Sequence, residues 1–222
     1  MSKSSNETPA FICIPDMSGF TRFITENKME FSKKIIPGLL RNMVDSNSIN
    51  LKVGEIEGDA VVFYRFGSLP ALEEIAEQCK QFYLNFNEHL AKLMEKHADD
   101  LHESISSNRL SLKIIVHAAE MVSTEINGHT KLIGEDMVVA HKLLKNSIEE
   151  PEYILLTEKL LANYADEHIE NIFDWNSLRA GEDEYEFIGV VKYRYIVLDP
   201  SLSAKGNDKN GKEGKPIRNK KE

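Results

Sequence analysis

The chain predicts an α+β fold in which helices cover a mainly antiparallel sheet, and three observations predict it. Two turn dipeptides, Gly58-Asp59 and Asn127-Gly128, each sit beside β-rich runs and mark hairpins. Two long stretches, 31–47 and about 70–96, repeat apolar residues at helical spacing. The run 185–198 is again β-rich and breaks at Gly189.

The elements follow in order. Residues 10–15 are apolar and predict a buried strand. A tight turn at 18–21 leads into a helix over 18–26, with Phe20, Phe23 and Ile24 on one side. Residues 31–47 place Phe31, Ile35, Ile36, Leu39, Leu40, Met43 and Val44 on one helical face, and Pro37 predicts a kink or restart within it. Residues 51–57 and 60–66 form the first hairpin. A helix runs from about Pro70 to Lys96, with Leu72, Ile75, Cys79, Phe82, Phe86, Leu90 and Leu93 on its inner face. Residues 98–109 are polar and predict a loop. A strand spans 110–121, a helix 134–146, a short strand 153–156 and a short helix 158–164. No internal repeat is visible.

Composition narrows the function. The 222 residues are enough for one domain with a substantial core. Residues 1–9 are polar and, with 201–222, are expected to be disordered, leaving 10–200 as the domain. The net charge is −9, and the tail from Ser203 carries seven Lys/Arg against three Asp/Glu, so the body holds about −13. That balance argues against nucleic-acid binding by the folded domain. No apolar run could span a bilayer and the N-terminus lacks a secretory pattern, so a cytoplasmic location is expected. Cys13 and Cys79 lie in apolar surroundings without ligand spacing and predict buried free thiols.

Two segments carry chemistry: FICIPDMSGFTRF (11–23) and EIEGDAVVFYRFG (55–67). Each places an aspartate at a strand edge, Asp16 and Asp59. Two carboxylates on adjacent strand ends beside a helix start can hold a pair of divalent ions over a triphosphate. The plainer readings are a helix cap at Asp16 and a turn residue at Asp59.

These segments resemble the two metal-binding motifs of class III adenylate/guanylate (nucleotidyl) cyclases. The resemblance runs more weakly through Lys113–Ala119 and the 134–144 helix to the hairpin around Gly189–Val197. IIPGLLRNMVDSN and AHKLLKNS are closer still to a bacterial domain family of unknown function within that superfamily. The resemblance implies a ferredoxin-like class III cyclase fold and a head-to-tail homodimer. It also implies an NTP substrate, GTP or ATP, converted to a 3′,5′-cyclic nucleotide and pyrophosphate with two Mg²⁺ or Mn²⁺ ions. It puts Asp16, Met17 and Asp59 at the metals, and Gly19, Phe20 and Thr21 against phosphate at the helix start. Glu55 stands where guanylyl-type enzymes carry Glu, and Lys131 stands at its partner position. The two either read a guanine or form a solvated pair, and Glu57 on the same face could take the place of Glu55. Lys192 or Arg194 would be the phosphate cation of the last hairpin. His117 is expected to be a core histidine.

One helix departs from the resemblance. Its Asn and Arg positions hold Val138 and Lys142 here. Valine cannot hydrogen-bond a ribose, and lysine lacks the bidentate fork. Lys142, with His141, Lys145 and Asn146 nearby, would have to supply the missing groups. The sequence therefore predicts a slow cyclase or, as the alternative, a degenerate homologue acting as a nucleotide-binding or dimerising regulatory module.

Overall fold

The computed structural model describes residues 7–97, 110–164 and 168–199. The expected loop 98–109 and the basic tail 201–222 lie outside the described residues. In chain order the elements are β1 (Thr8–Ser18), α1 (Phe20–Glu26), α2 (Met29–Asp45), β2 (Lys52–Glu57), β3 (Ala60–Phe66), α3 (Leu72–Lys96), β4 (Ser111–Ile126) and β5 (His129–Ile133). There follow α4 (Glu135–Leu143), β6 (Tyr153–Thr157), α5 (Glu158–Leu161), a 3-10 turn (Ala162–Tyr164), α6 (Ile169–Ile172), β7 (Leu178–Tyr185) and β8 (Gly189–Val197).

The strands make one sheet in the order β2-β3-β1-β4-β6-β8-β7, with β5 paired to the far end of β4. Only β4 and β6 run parallel among the described pairings. The fold is thus α+β with a mostly antiparallel sheet, as the hairpin dipeptides predict.

The side-chain alternation of each central strand feeds two cores. On one face Phe11, Cys13, Val61, Phe63, Ile114 and Val116 pack under α2 and α3. On the other, Ile12, Ile14, Val62, Ile115 and Ala119 pack under α4, against Met137, Ala140 and Leu143. Cys13 and Cys79 are both buried and free, as expected.

Three local differences have physical reasons. β1 already includes Thr8 and Pro9, because both pair with β4 at Met121 and Glu120. α2 runs unbroken through Pro37. Pro37 and Lys33, whose carbonyl loses its usual partner, both lie on the exposed face, where water can satisfy that group. The last hairpin is longer than the β-rich run: its first arm is β7, whose polar sequence LRAGEDEY suits a sheet edge.

Candidate functional site

One row across the α4-covered face organises the site. Glu57 pairs with Ala60, Ala60 with Asp16, and Asp16 with Lys113. The side chain of Ala60 is small, so the row leaves room between the Glu57 and Asp16 carboxylates.

Asp16 is 7% exposed. Its Oδ2 lies 3.0 Å from the Lys113 Nζ, and Lys113 also donates to the Leu144 carbonyl just beyond α4 at 2.6 Å. Burial raises the Asp16 carboxyl above its ordinary value, Lys113 offsets part of that, and the nearby Asp59 charge raises it further. Burial likewise raises Asp59, and its own backbone amide and Lys113 act in the opposite direction. Both aspartates therefore feel one another or one shared cation.

The strand end and the hairpin turn are fastened together. The Met17 amide donates to the Asp59 carbonyl at 3.0 Å. Met17 itself is 1% exposed, with its thioether in the core under α2 and α3. Any contribution of Met17 to a metal is consequently by main chain. Gly19 adopts φ 82°, a conformation that favours glycine, and opens α1. Gly19 and Thr21 are exposed, while Phe20 packs partly against the core.

Hard carboxylate oxygens at this position match the donors that Mg²⁺ and Mn²⁺ take. The donor type fits a divalent ion, which would compete with the Lys113 ammonium that now neutralises Asp16.

A second group lies beside the row. Lys131 donates to Glu55 at 2.5 Å, and the His141 Nδ1 is 3.5 Å from the Glu57 Oε2. Gly54 makes the approach of β5 possible, because a Cβ there would stand 3.0 Å from Leu132. The connection from α2 into β2 is held by buried Gln78, which accepts from the Ser48 amide and donates to the Ser46 carbonyl.

The outward face of α4 carries Val138, 49% exposed, and Lys142, also exposed. Lys192 lies on β8, loosely paired with Glu182 at 3.9 Å, three strands from β1. It alternates with Tyr193, whose ring belongs to the α4-side core, so Lys192 points to the opposite face from Asp16.

Two features escape a reading of the sequence alone. Lys113 could have been found as the one lysine in the inward phase of an apolar strand, in step with Ile115 and His117. The other is a buried network at the start of α4. Asp136 accepts from the His117 Nε2 at 3.0 Å, the Glu120 amide at 2.6 Å and the Lys159 Nζ at 2.6 Å. The His117 Nδ1 meets the Thr157 hydroxyl at 2.8 Å, and that hydroxyl also accepts from the Leu160 amide. His117 is thus a core histidine, as expected, and its network anchors α4 over the sheet. Gly134 admits the helix there, since a Cβ would stand 2.8 Å from the Glu120 carbonyl.

This fold is that of class III cyclase catalytic domains. The adenylyl cyclase CyaB from P. aeruginosa superposes with a TM-score of 0.59 at 13% identity, covering 88% of this chain and 97% of that one. The guanylyl cyclase Cya2 gives 0.58 at 14%, covering 88% and 95%. The guanylate cyclase domain of RhGC from Catenaria anguillulae, solved in complex with GTP, gives 0.54 at 12%, covering 86% and 97%. At such identities the likeness is one of fold. The family model described as "Protein of unknown function (DUF2652)" matches residues 36–153, and the chain belongs to that family. The uncharacterized protein Rv2561/Rv2562 of Mycobacterium tuberculosis is 24% identical over 163 residues, 73% of each chain. No helix among the described residues is long and apolar enough to cross a membrane.

Proposed function

We propose that this domain binds a nucleoside triphosphate through divalent ions held by Asp16 and Asp59, and converts it slowly to a 3′,5′-cyclic nucleotide and pyrophosphate. The observation that carries this reading is the coupling of two partly buried carboxylates around a cationic position at a strand end. When bound, Mg²⁺ or Mn²⁺ would lower the pKa of the ribose hydroxyl and neutralise the leaving phosphates.

The chain's own residues divide the remaining work. Asp16 and Asp59 hold the ions, with the Met17 carbonyl beside them. The amides from Gly19 to Thr21 face phosphate. Lys113 keeps a positive charge where a triphosphate would meet it. Glu55, with Lys131, accepts from a guanine edge, which makes GTP the favoured substrate.

Val138 and Lys142 are exposed, which supports a head-to-tail homodimer with each α4 serving the partner's site. Light scattering should then show a dimer at micromolar concentration. A monomer with and without nucleotide would remove α4 from the site.

A second reading has support of its own. Val138 offers no hydrogen bond and Lys142 no bidentate clamp, so the domain could hold nucleotide without turnover. Titration with GTP in the presence of Mn²⁺ tests what both readings share. Binding should be saturable and should be lost in Asp59→Asn. Binding unaltered by that substitution would place the metal elsewhere.

A further inference from the structure

The Glu55, Glu57 and His141 group has a geometry that base recognition does not explain. Its three donor atoms all lie within 4.8 Å of one another. The residues come from two separately anchored elements. Glu55 and Glu57 sit two apart on β2 and share a face, and His141 descends from α4, whose start is pinned by the Asp136 network.

One of the three spacings is that of a coordination shell. Ligand atoms about 2.0–2.2 Å from one ion in a tetrahedral arrangement stand roughly 3.3–3.6 Å apart. The His141 Nδ1 to Glu57 Oε2 distance is 3.5 Å. That is too long for a good hydrogen bond and suits an ion placed between the two atoms.

The Glu57 carboxylate faces His141, and Glu55 is paired with Lys131. The Lys131 side chain is half exposed and free to swing away. A cleft of about 590 Å³, lined by Gly54, Glu55, Glu57, Thr130 and Lys131, opens beside the two glutamates.

We infer that Glu55, Glu57 and His141 form a binding site for a first-row transition-metal dication of the Zn²⁺ type, distinct from the Asp16 and Asp59 position. One imidazole and two carboxylates suit Zn²⁺, whereas Mg²⁺ and Ca²⁺ prefer oxygen alone. The ion would fasten α4 to β2 and draw Glu55 away from Lys131, so the ion and a guanine edge would compete for Glu55. This inference rests on the local geometry and does not depend on the nucleotide reading.

Calorimetric titration of the full chain with Zn²⁺, and separately with Mg²⁺, tests it. Wild type should bind Zn²⁺ at least tenfold more tightly than Mg²⁺. His141→Ala and Glu57→Gln should weaken Zn²⁺ about 10–100-fold. His141 and Glu57 are both surface-accessible, and circular dichroism would verify that the variants fold. Co²⁺ gives a second readout: its visible absorption should indicate a nitrogen–oxygen shell in wild type and change in His141→Ala. Unchanged Zn²⁺ affinity in His141→Ala would overturn the proposal. So would equal affinity of wild type for Zn²⁺ and Mg²⁺.

Discussion

The Lys113 ammonium stands 3.0 Å from the Asp16 carboxylate, and both side chains are largely withdrawn from solvent. Lys113 is also tied to the Leu144 carbonyl, so the pair links the row of the sheet to the end of α4. A partly buried pair costs desolvation to form, yet breaking it strands a charge.

Lys113→Met should therefore destabilise the metal-free protein by about 1–3 kcal/mol, the cost of an unpaired charged group that is not fully buried. Removing the competing cation should also favour a divalent ion on Asp16. Thermal denaturation with and without Mn²⁺ checks both effects. The Mn²⁺-induced rise in Tm should be larger in Lys113→Met than in wild type. An equal or smaller rise would mean that the ion does not use Asp16.

Asp136 gives a prediction about pH. Burial alone would raise its carboxyl, but His117, Lys159 and the Glu120 amide hold it far below the ordinary range. A depressed carboxyl stabilises the fold fully above its unfolded pKa, about 4, and that stabilisation is lost as pH falls from there toward the folded value. Asp136→Asn should cost about 2 kcal/mol near neutral pH, discounted for the half-exposed Lys159. Denaturant titrations should show the gap between wild type and variant narrowing below about pH 4. A gap independent of pH would mean that the charge of Asp136 contributes nothing.

The candidate site is legible in the sequence to the extent that its chemistry is local. Asp16 and Asp59 each sit within one short motif, and the Gly58-Asp59 turn fixes the β2–β3 register that brings the row together. The Glu55–Lys131 pair follows once both residues are assigned by family position. The phase of β4 marks Lys113, but its bond to Asp16 and the Asp136 network join residues far apart in sequence that no local pattern connects. β7 is missed for another reason. As an edge strand it buries few side chains, so its residues carry little apolar alternation. Pro37 misleads because its cost depends on which face of α2 it occupies.

The outward face of α4 predicts an engineered gain. Val138→Asn with Lys142→Arg restores a ribose hydrogen bond and a bidentate phosphate clamp on an exposed helix face, with little effect on folding. Turnover should rise at least tenfold while affinity for the triphosphate changes little, since such groups act mainly in the transition state. Steady-state kinetics separates the two. A gain confined to KM would mean that the helix binds substrate without assisting the chemical step.

The central claim is that Asp16 and Asp59 direct metal-dependent cyclisation of a nucleotide. Incubation of the protein with each of the four NTPs and Mn²⁺, followed by mass spectrometry, tests it most directly. The account predicts slow accumulation of a cyclic nucleotide with stoichiometric pyrophosphate, fastest from GTP, abolished in Asp59→Asn and accelerated in the Val138→Asn, Lys142→Arg variant. No cyclic product from any nucleotide, with wild type and with the double variant alike, would contradict it.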